Sequence, residues 1–113
     1  MVSHQTERKS SADYSLEHVA RLALQRQLAY ATSSAQRDVE NLGYGRDEVC
    51  ACLCDLRDAH FSHSERYRPG GPWHDVYMVD WAPSGSAPDS LYVKFRMDGG
   101  LLVIELCSFH LPR

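Results

Sequence analysis

The sequence predicts an α+β domain in which N-terminal helices pack on a C-terminal antiparallel sheet. Three observations carry this. Apolar residues recur every three or four positions in the stretches around Leu16–Leu24 and Val49–Leu56, the spacing of helices with one buried stripe. After His60 the period changes, and Leu91-Tyr92-Val93-Lys94-Phe95-Arg96-Met97 alternates strictly, as a half-buried strand does. Asp98-Gly99-Gly100 then separates two β-rich runs with residues that favour a hairpin turn.

Each element follows in order. Residues 1–13 are polar, with Gln5, Glu7, Arg8, Lys9 and three serines, and are expected to form a flexible tail before a single domain over 14–113. A first helix starts near Tyr14–Ser15, with Leu16, Val19, Ala20, Ala23 and Leu24 on one stripe and Ser15 as its N-cap. Leu28–Thr32 is a short extended segment. A second helix is capped by Ser33 or Ser34 and stops at Gly43. A third runs from about Arg46 to Ala59, with Asp47 and Glu48 in its first turn, where the helix dipole favours negative charge. Pro69-Gly70-Gly71-Pro72 and the stretch from Pro83 to Pro88 are loops. Asp75–Trp81, Leu91–Met97 and Leu101–Phe109 are strands.

Bulk composition excludes several function classes. The net charge is −3 and the isoelectric point about 6.0, unlike a strongly basic nucleic-acid-binding domain with a value above roughly 9. From Arg57 onward six Lys/Arg stand against seven Asp/Glu, and before it six against eight, so neither half forms a broad basic field. Tight binding through many phosphate contacts is excluded, and with it binding of DNA by the chain alone. A compact cationic site is not. No apolar run approaches the roughly 18 residues of a membrane span, so no membrane partner is expected. The N-terminus has no apolar signal core, and a cytoplasmic location is expected. Cys50, Cys52 and Cys54 lie too close on one helix for a good disulfide. They also lack the second ligand pair of a zinc site, so small-residue packing accounts for them.

The hairpin sorts side chains between faces. With the turn at Gly99-Gly100 or Asp98-Gly99, the parity is the same. Tyr92, Lys94, Arg96, Glu105 and Cys107 share one face, and Leu91, Val93, Phe95, Leu102, Ile104 and Leu106 the other. The first register pairs Arg96 with Val103, Lys94 with Glu105 and Tyr92 with Cys107. The apolar face must be core. The polar face is either a solvated surface or a phosphate-binding one.

The stretch Phe61-Ser62-His63-Ser64-Glu65-Arg66-Tyr67 followed by Pro72-Trp73-His74-Asp75-Val76-Tyr77, then Leu91-Tyr92-Val93-Lys94-Phe95 and Leu102-Val103-Ile104, resembles the MqsR family of toxins over about residues 14–110. The resemblance rests on Phe-x-x-Ser at Phe61–Ser64, Trp-x-Asp-Val-Tyr at Trp73–Tyr77 and Tyr-x-Lys at Tyr92–Lys94. It implies a RelE-like fold and a metal-independent endoribonuclease that cleaves mRNA without a cofactor. It also implies a cognate antitoxin that holds the enzyme in check. The family motif carries Lys, Gln, Tyr and Lys at its catalytic positions. Here these are His63, His74, Tyr92 and a position at or near Cys107.

The replacements have a chemical reading. Metal-free RNA cleavage needs a base for the 2′-hydroxyl, an acid for the 5′-oxygen and cations for the phosphorane. An imidazole titrates near neutral pH and can serve as either acid or base. His63 and His74 are therefore the expected base–acid pair, with Tyr92 orienting the phosphate. Lys94, Arg96, Arg66 and Arg68 are the candidate phosphate ligands. Tyr67 is free to stack on a base, and Cys107 and His110 border the site. Asp75 follows His74 directly, points to the opposite face of an extended segment, and is expected to make a structural hydrogen bond. Loss of both lysine positions leaves a second reading: the same fold acting as an RNA- or protein-binding module.

Overall fold

The structure is a computed structural model that describes residues 6–83, 85–97 and 99–112. Among the described residues it holds strands β1 (Glu7–Lys9), β2 (Leu28–Tyr30), β3 (Phe61–Arg66), β4 (His74–Trp81), β5 (Asp89–Met97) and β6 (Ile104–His110). The helices are α1 (Leu16–Leu24), α2 (Ser33–Asn41) and α3 (Arg46–Cys54). The strands form one sheet in the order β1-β3-β4-β5-β6-β2. The α+β prediction holds.

The helices begin and end on local signals. Ser15 Oγ accepts from the His18 N–H at 3.4 Å at the start of α1. Helix α2 is capped by Thr32, one residue before the serines expected, through a 3.0 Å bond from the Ala35 N–H. It gives way at Gly43, whose φ of +80° suits glycine. Helix α3 stops at Cys54, short of the predicted Ala59. Asp55 leaves the helix to accept from the Trp81 indole N–H at 2.8 Å, and Leu56 is buried. A short 3-10 turn at Asp58–His60 then leads into β3, with His60 Nδ1 accepting from the Arg57 N–H at 3.0 Å.

One hydrophobic core lies between the helices and one sheet face. Val19, Leu22, Ala23, Val39, Val49 and Leu53 meet Tyr77, Leu91, Val93, Phe95, Ile104, Leu106 and Phe109. Cys50 and Cys52 are fully buried beside them, and all four cysteines are free thiols. The opposite sheet face carries Tyr92, Lys94, Arg96 and Glu105, as the alternation of β5 predicts.

The structure corrects or adds to these expectations at five points. Residues 7–9 are not tail but an edge strand antiparallel to β3. Their charges find partners: Glu7 meets Arg66 at 2.7 Å and Lys9 meets Asp13 at 2.7 Å. Lys9 and Arg66 also sit over the Trp73 ring, 4.3 and 4.7 Å from its centroid. The sheet is not wholly antiparallel, because Leu28–Tyr30 pairs parallel to β6. The whole chain between them serves as a long crossover, which a parallel pair needs. Phe61–Arg66 is a strand despite its polar sequence. The β5–β6 connection is longer than a two-residue turn: Met97 faces Ile104 and Arg96 faces Glu105. Leu102 lies in that connection, exposed rather than in the core. His18 Nε2 donates to the Leu101 carbonyl at 2.7 Å and ties the connection to α1; Asp98 of the turn falls outside the described residues.

The fifth correction bears most on function. The register shifts between Lys94 and Phe95, so that Phe95 faces Leu106 while Lys94 faces Ser108. Cys107 is the extra residue of a β-bulge. The bulge resets the parity of β6, burying Phe109 in the core and turning His110 to the polar face beside Tyr92.

Asp75 makes the structural bonds expected of it. Fully buried, its carboxylate accepts from the Asp13 N–H at 3.0 Å and the Tyr14 N–H at 3.0 Å. It thereby fastens the β1–α1 connection to β4. Asp75→Ala leaves those donors without an acceptor and should lower the unfolding free energy by about 2–4 kcal/mol. Urea unfolding measures this, and a loss below about 1 kcal/mol would contradict the role.

Candidate functional site

The polar face of the sheet holds a cavity of about 350 Å³. Its floor is His74 on β4, Lys94 and Arg96 on β5, and Cys107 on β6. Ala31 and Thr32, at the β2–α2 junction, form one side. Tyr67, Arg68, Gly71 and Pro72 form the other. Gly71 is needed here: a Cβ would lie 2.9 Å from Arg68 Cγ and 3.1 Å from the Arg68 carbonyl. The tight loop holds Arg68 against the cavity.

His74 has its tautomer fixed by its neighbours. It is 4% exposed. Its Nδ1 lies 3.3 Å from the Glu65 main-chain carbonyl, which can only accept. Its Nε2 lies 3.5 Å from the Arg96 guanidinium, which can only donate. Nδ1 therefore carries the proton, and the Nε2 lone pair meets Arg96, which lines the cavity with it. Burial pushes the His74 pKa below the ordinary imidazole value. The hydrogen bond to Glu65 opposes this, and the Arg96 and Lys94 charges add smaller pushes in the same direction as burial.

Glu65, which the sequence reading did not select, organises the rest. Its Oε1 accepts from the Tyr67 hydroxyl at 2.8 Å and lies 3.7 Å from Lys94 Nζ. Its Oε2 lies 3.2 Å from His63 Nε2 and 3.8 Å from Arg8 Nε. Burial alone would raise the Glu65 carboxyl; hydrogen bonds from Tyr67 and His63 and the Lys94 charge hold it below its usual value. The Tyr67 hydroxyl accepts from Lys94 at 2.8 Å. Burial and the Glu65 carboxylate keep that hydroxyl protonated. Reading Phe61–Arg66 with period two would have placed His63 and Glu65 on one face, and that alternation is the signal that was available.

The remaining candidates divide. Lys94, Arg96, Arg68, Tyr67 and Cys107 line the cavity with His74. Burial raises the Cys107 thiol, which is held protonated and donates to the Glu105 carbonyl at 3.6 Å. Arg96 also meets the Glu105 carboxylate at 3.3 Å, in place of the Lys94–Glu105 pair that the shorter turn would give. His63 does not line the cavity. It borders a separate shallow concavity with Arg8, Lys9, Ser10 and Ser62, and its Nδ1 lies 2.9 Å from Ser62 Oγ. Tyr92 stacks on His110, with centroids 5.3 Å apart, and neither ring lines the cavity. Arg66 is taken up by Glu7 and Trp73. Among the described residues, no group of three His, Cys, Asp or Glu is placed to hold a metal ion.

An open sheet face bearing His74 among Lys94, Arg96 and Arg68, with the core and its helices on the other face, defines a small α+β protein with a cationic cavity. Its membership is narrower. The chain belongs to the family described as "Motility quorum-sensing regulator, toxin of MqsA", whose model matches residues 11–110. It is thus a toxin of a toxin–antitoxin system, in a family generally of ribonuclease toxins, and its membership implies an MqsA-type antitoxin partner. No curated protein matches the chain as a relative. Among the described residues, no helix is long and apolar enough to cross a membrane.

The depressed His74 pKa carries a stability consequence. The folded state favours the neutral ring, so the stabilisation is present above the ordinary value of 6.5 and is lost as pH falls through the folded value. Denaturant unfolding from pH 8 to pH 5 should show a smaller acid loss for His74→Gln than for the parent chain. Equal slopes would contradict the assignment.

Proposed function

We propose that the chain is a metal-independent, RelE-like mRNA endoribonuclease acting by 2′-hydroxyl attack, with His74 as the general base. The observation that supports this most is the His74 ring in a cavity with Lys94 and Arg96, its Nδ1 held by the Glu65 carbonyl and its Nε2 freed as Arg96 turns to a bound phosphate. Nε2 takes the 2′-hydroxyl proton, and the 2′-oxygen attacks the adjacent phosphorus. The bond to the 5′-oxygen breaks, and Lys94 supplies its proton. Arg96 and Lys94 face the charge that develops on the phosphorane. The products carry a 2′,3′-cyclic phosphate and a 5′-hydroxyl, and solvent returns the proton from His74 to Lys94.

Arg68 is the further phosphate ligand at the cavity edge. His63 enters the scheme through Glu65 rather than as the second acid–base group. Tyr92 and His110 extend the same face beyond Lys94 and offer stacked rings for the RNA strand. The antitoxin restrains this activity in the cell.

The test is expression of the chain without its antitoxin, alongside cleavage of RNA by the purified protein. His74→Ala should cut the cleavage rate by about 10²–10⁴-fold and relieve growth arrest. His63→Ala should retain most of both. Growth arrest and RNA cleavage that survive His74→Ala would contradict the proposal. Arrest without any cleavage would favour the binding-module reading.

A further inference from the structure

We infer that Glu65 is a positioning residue of this cavity: its carbonyl sets the His74 ring and its carboxylate, through the Tyr67 hydroxyl, sets the Lys94 ammonium. The inference rests on the endoribonuclease reading for its catalytic meaning but on geometry for its existence.

A tyrosine hydroxyl has one proton to give and lone pairs to receive with. Tyr67 gives its proton to Glu65 Oε1 at 2.8 Å. Only its lone pairs then remain on the cavity side, and they accept from Lys94 Nζ at 2.8 Å. A neutral amide in place of the carboxylate is a weaker acceptor, so the hydroxyl proton is held less firmly and competes with the ammonium as a donor. Lys94 is a long, flexible side chain that needs such a fixed acceptor to hold one position.

Packing supplies only part of that constraint: the Tyr67 and His74 ring centroids lie 4.9 Å apart and Lys94 Nζ lies 5.3 Å from the Tyr67 centroid, but neither contact directs the hydroxyl. Tyr67 lies just beyond the end of β3 and is 43% exposed. Glu65, in contrast, is 7% exposed and held at both oxygens, with His63 and Arg8 on the side away from the cavity. These partners make the carboxylate a fixed reference point. The same residue's carbonyl receives His74 Nδ1, so base and cation are set from a single residue of β3.

The groups facing His74 come from every neighbouring element. They are Glu65 and Tyr67 from β3 and its end, Arg68 from the loop, Lys94 and Arg96 from β5, and Cys107 from β6. Removing the Glu65 charge leaves the cations less opposed, so the ring should lose its proton at lower pH. That shift reports the lost charge; the readouts a purely structural role would not move are the split between kcat and KM and the non-additivity of the double variant.

The experiment is an NMR titration of His74 and Lys94 in the full chain, in parallel with pH profiles of kcat and KM on a defined RNA. The parent, Glu65→Gln, Tyr67→Phe and the double variant are compared. For Glu65→Gln the His74 titration and the acid limb of kcat should move to lower pH. Its kcat should fall about 10- to 100-fold, with KM changed far less. The double variant should be no worse than Glu65→Gln alone. An unmoved His74 titration, or losses that multiply in the double variant, would overturn the inference. If Glu65→Gln does not fold, Tyr67→Phe alone decides: it should lower kcat and loosen Lys94, and parent-like values would overturn the inference. A parent that cleaves no RNA while Lys94 loosens in both Glu65→Gln and Tyr67→Phe would support the positioning role and refute the ribonuclease reading. A parent that cleaves RNA while Glu65→Gln matches it in every readout would do the reverse.

Discussion

Strand β4 is buried on both faces where it carries its most polar pair, His74 and Asp75. Neither can be left without partners away from water, where an unpaired polar group is costly. Their side chains leave the strand on opposite faces, so each recruits a different part of the molecule. Asp75 gathers the Asp13 and Tyr14 amides and fixes where the N-terminal segment meets the first helix. His74 takes the Glu65 carbonyl from β3 and faces Arg96 on β5. The fold's anchor and the candidate base are thus adjacent residues under one constraint.

The charge balance of the site follows the same logic. Lys94 lies near Glu65 and Arg96 meets Glu105, so the cavity's cations are partly offset before any ligand arrives. An incoming phosphodiester must compete for these groups rather than enter a bare positive field. That agrees with a chain of net charge −3 and with recognition through a few contacts instead of long phosphate tracks. Burial, with the Arg96 and Lys94 charges after it, still opposes protonation of the His74 ring.

How much of this the sequence revealed depended on the range of the interactions. The alternation of β5 is local, and it placed Lys94 and Arg96 on the polar face correctly. Parity is local too, but a single bulge breaks it: Cys107 is the extra residue, and His110 changes face because Phe109 must be buried. No spacing rule in the sequence announces that event. Strand β1 was hidden because its stabilisation comes from Arg66 and Trp73, some 60 residues away in the chain. Glu65 was passed over because β3 has few apolar residues to mark its period. His63 matched the motif, yet its ring turns to Ser62 and Glu65 outside the cavity, a direction that motif position alone does not encode.

The central claim is that protein side chains alone carry RNA cleavage, with the 2′-hydroxyl as nucleophile. The direct measurement is cleavage of a defined RNA in EDTA, with its end groups identified, beside a copy bearing a 2′-deoxy sugar at the cleaved position. The account predicts undiminished cleavage in EDTA, 2′,3′-cyclic phosphate and 5′-hydroxyl ends, and no cleavage of the deoxy linkage. A requirement for divalent metal, or cleavage at the deoxy position, would contradict it.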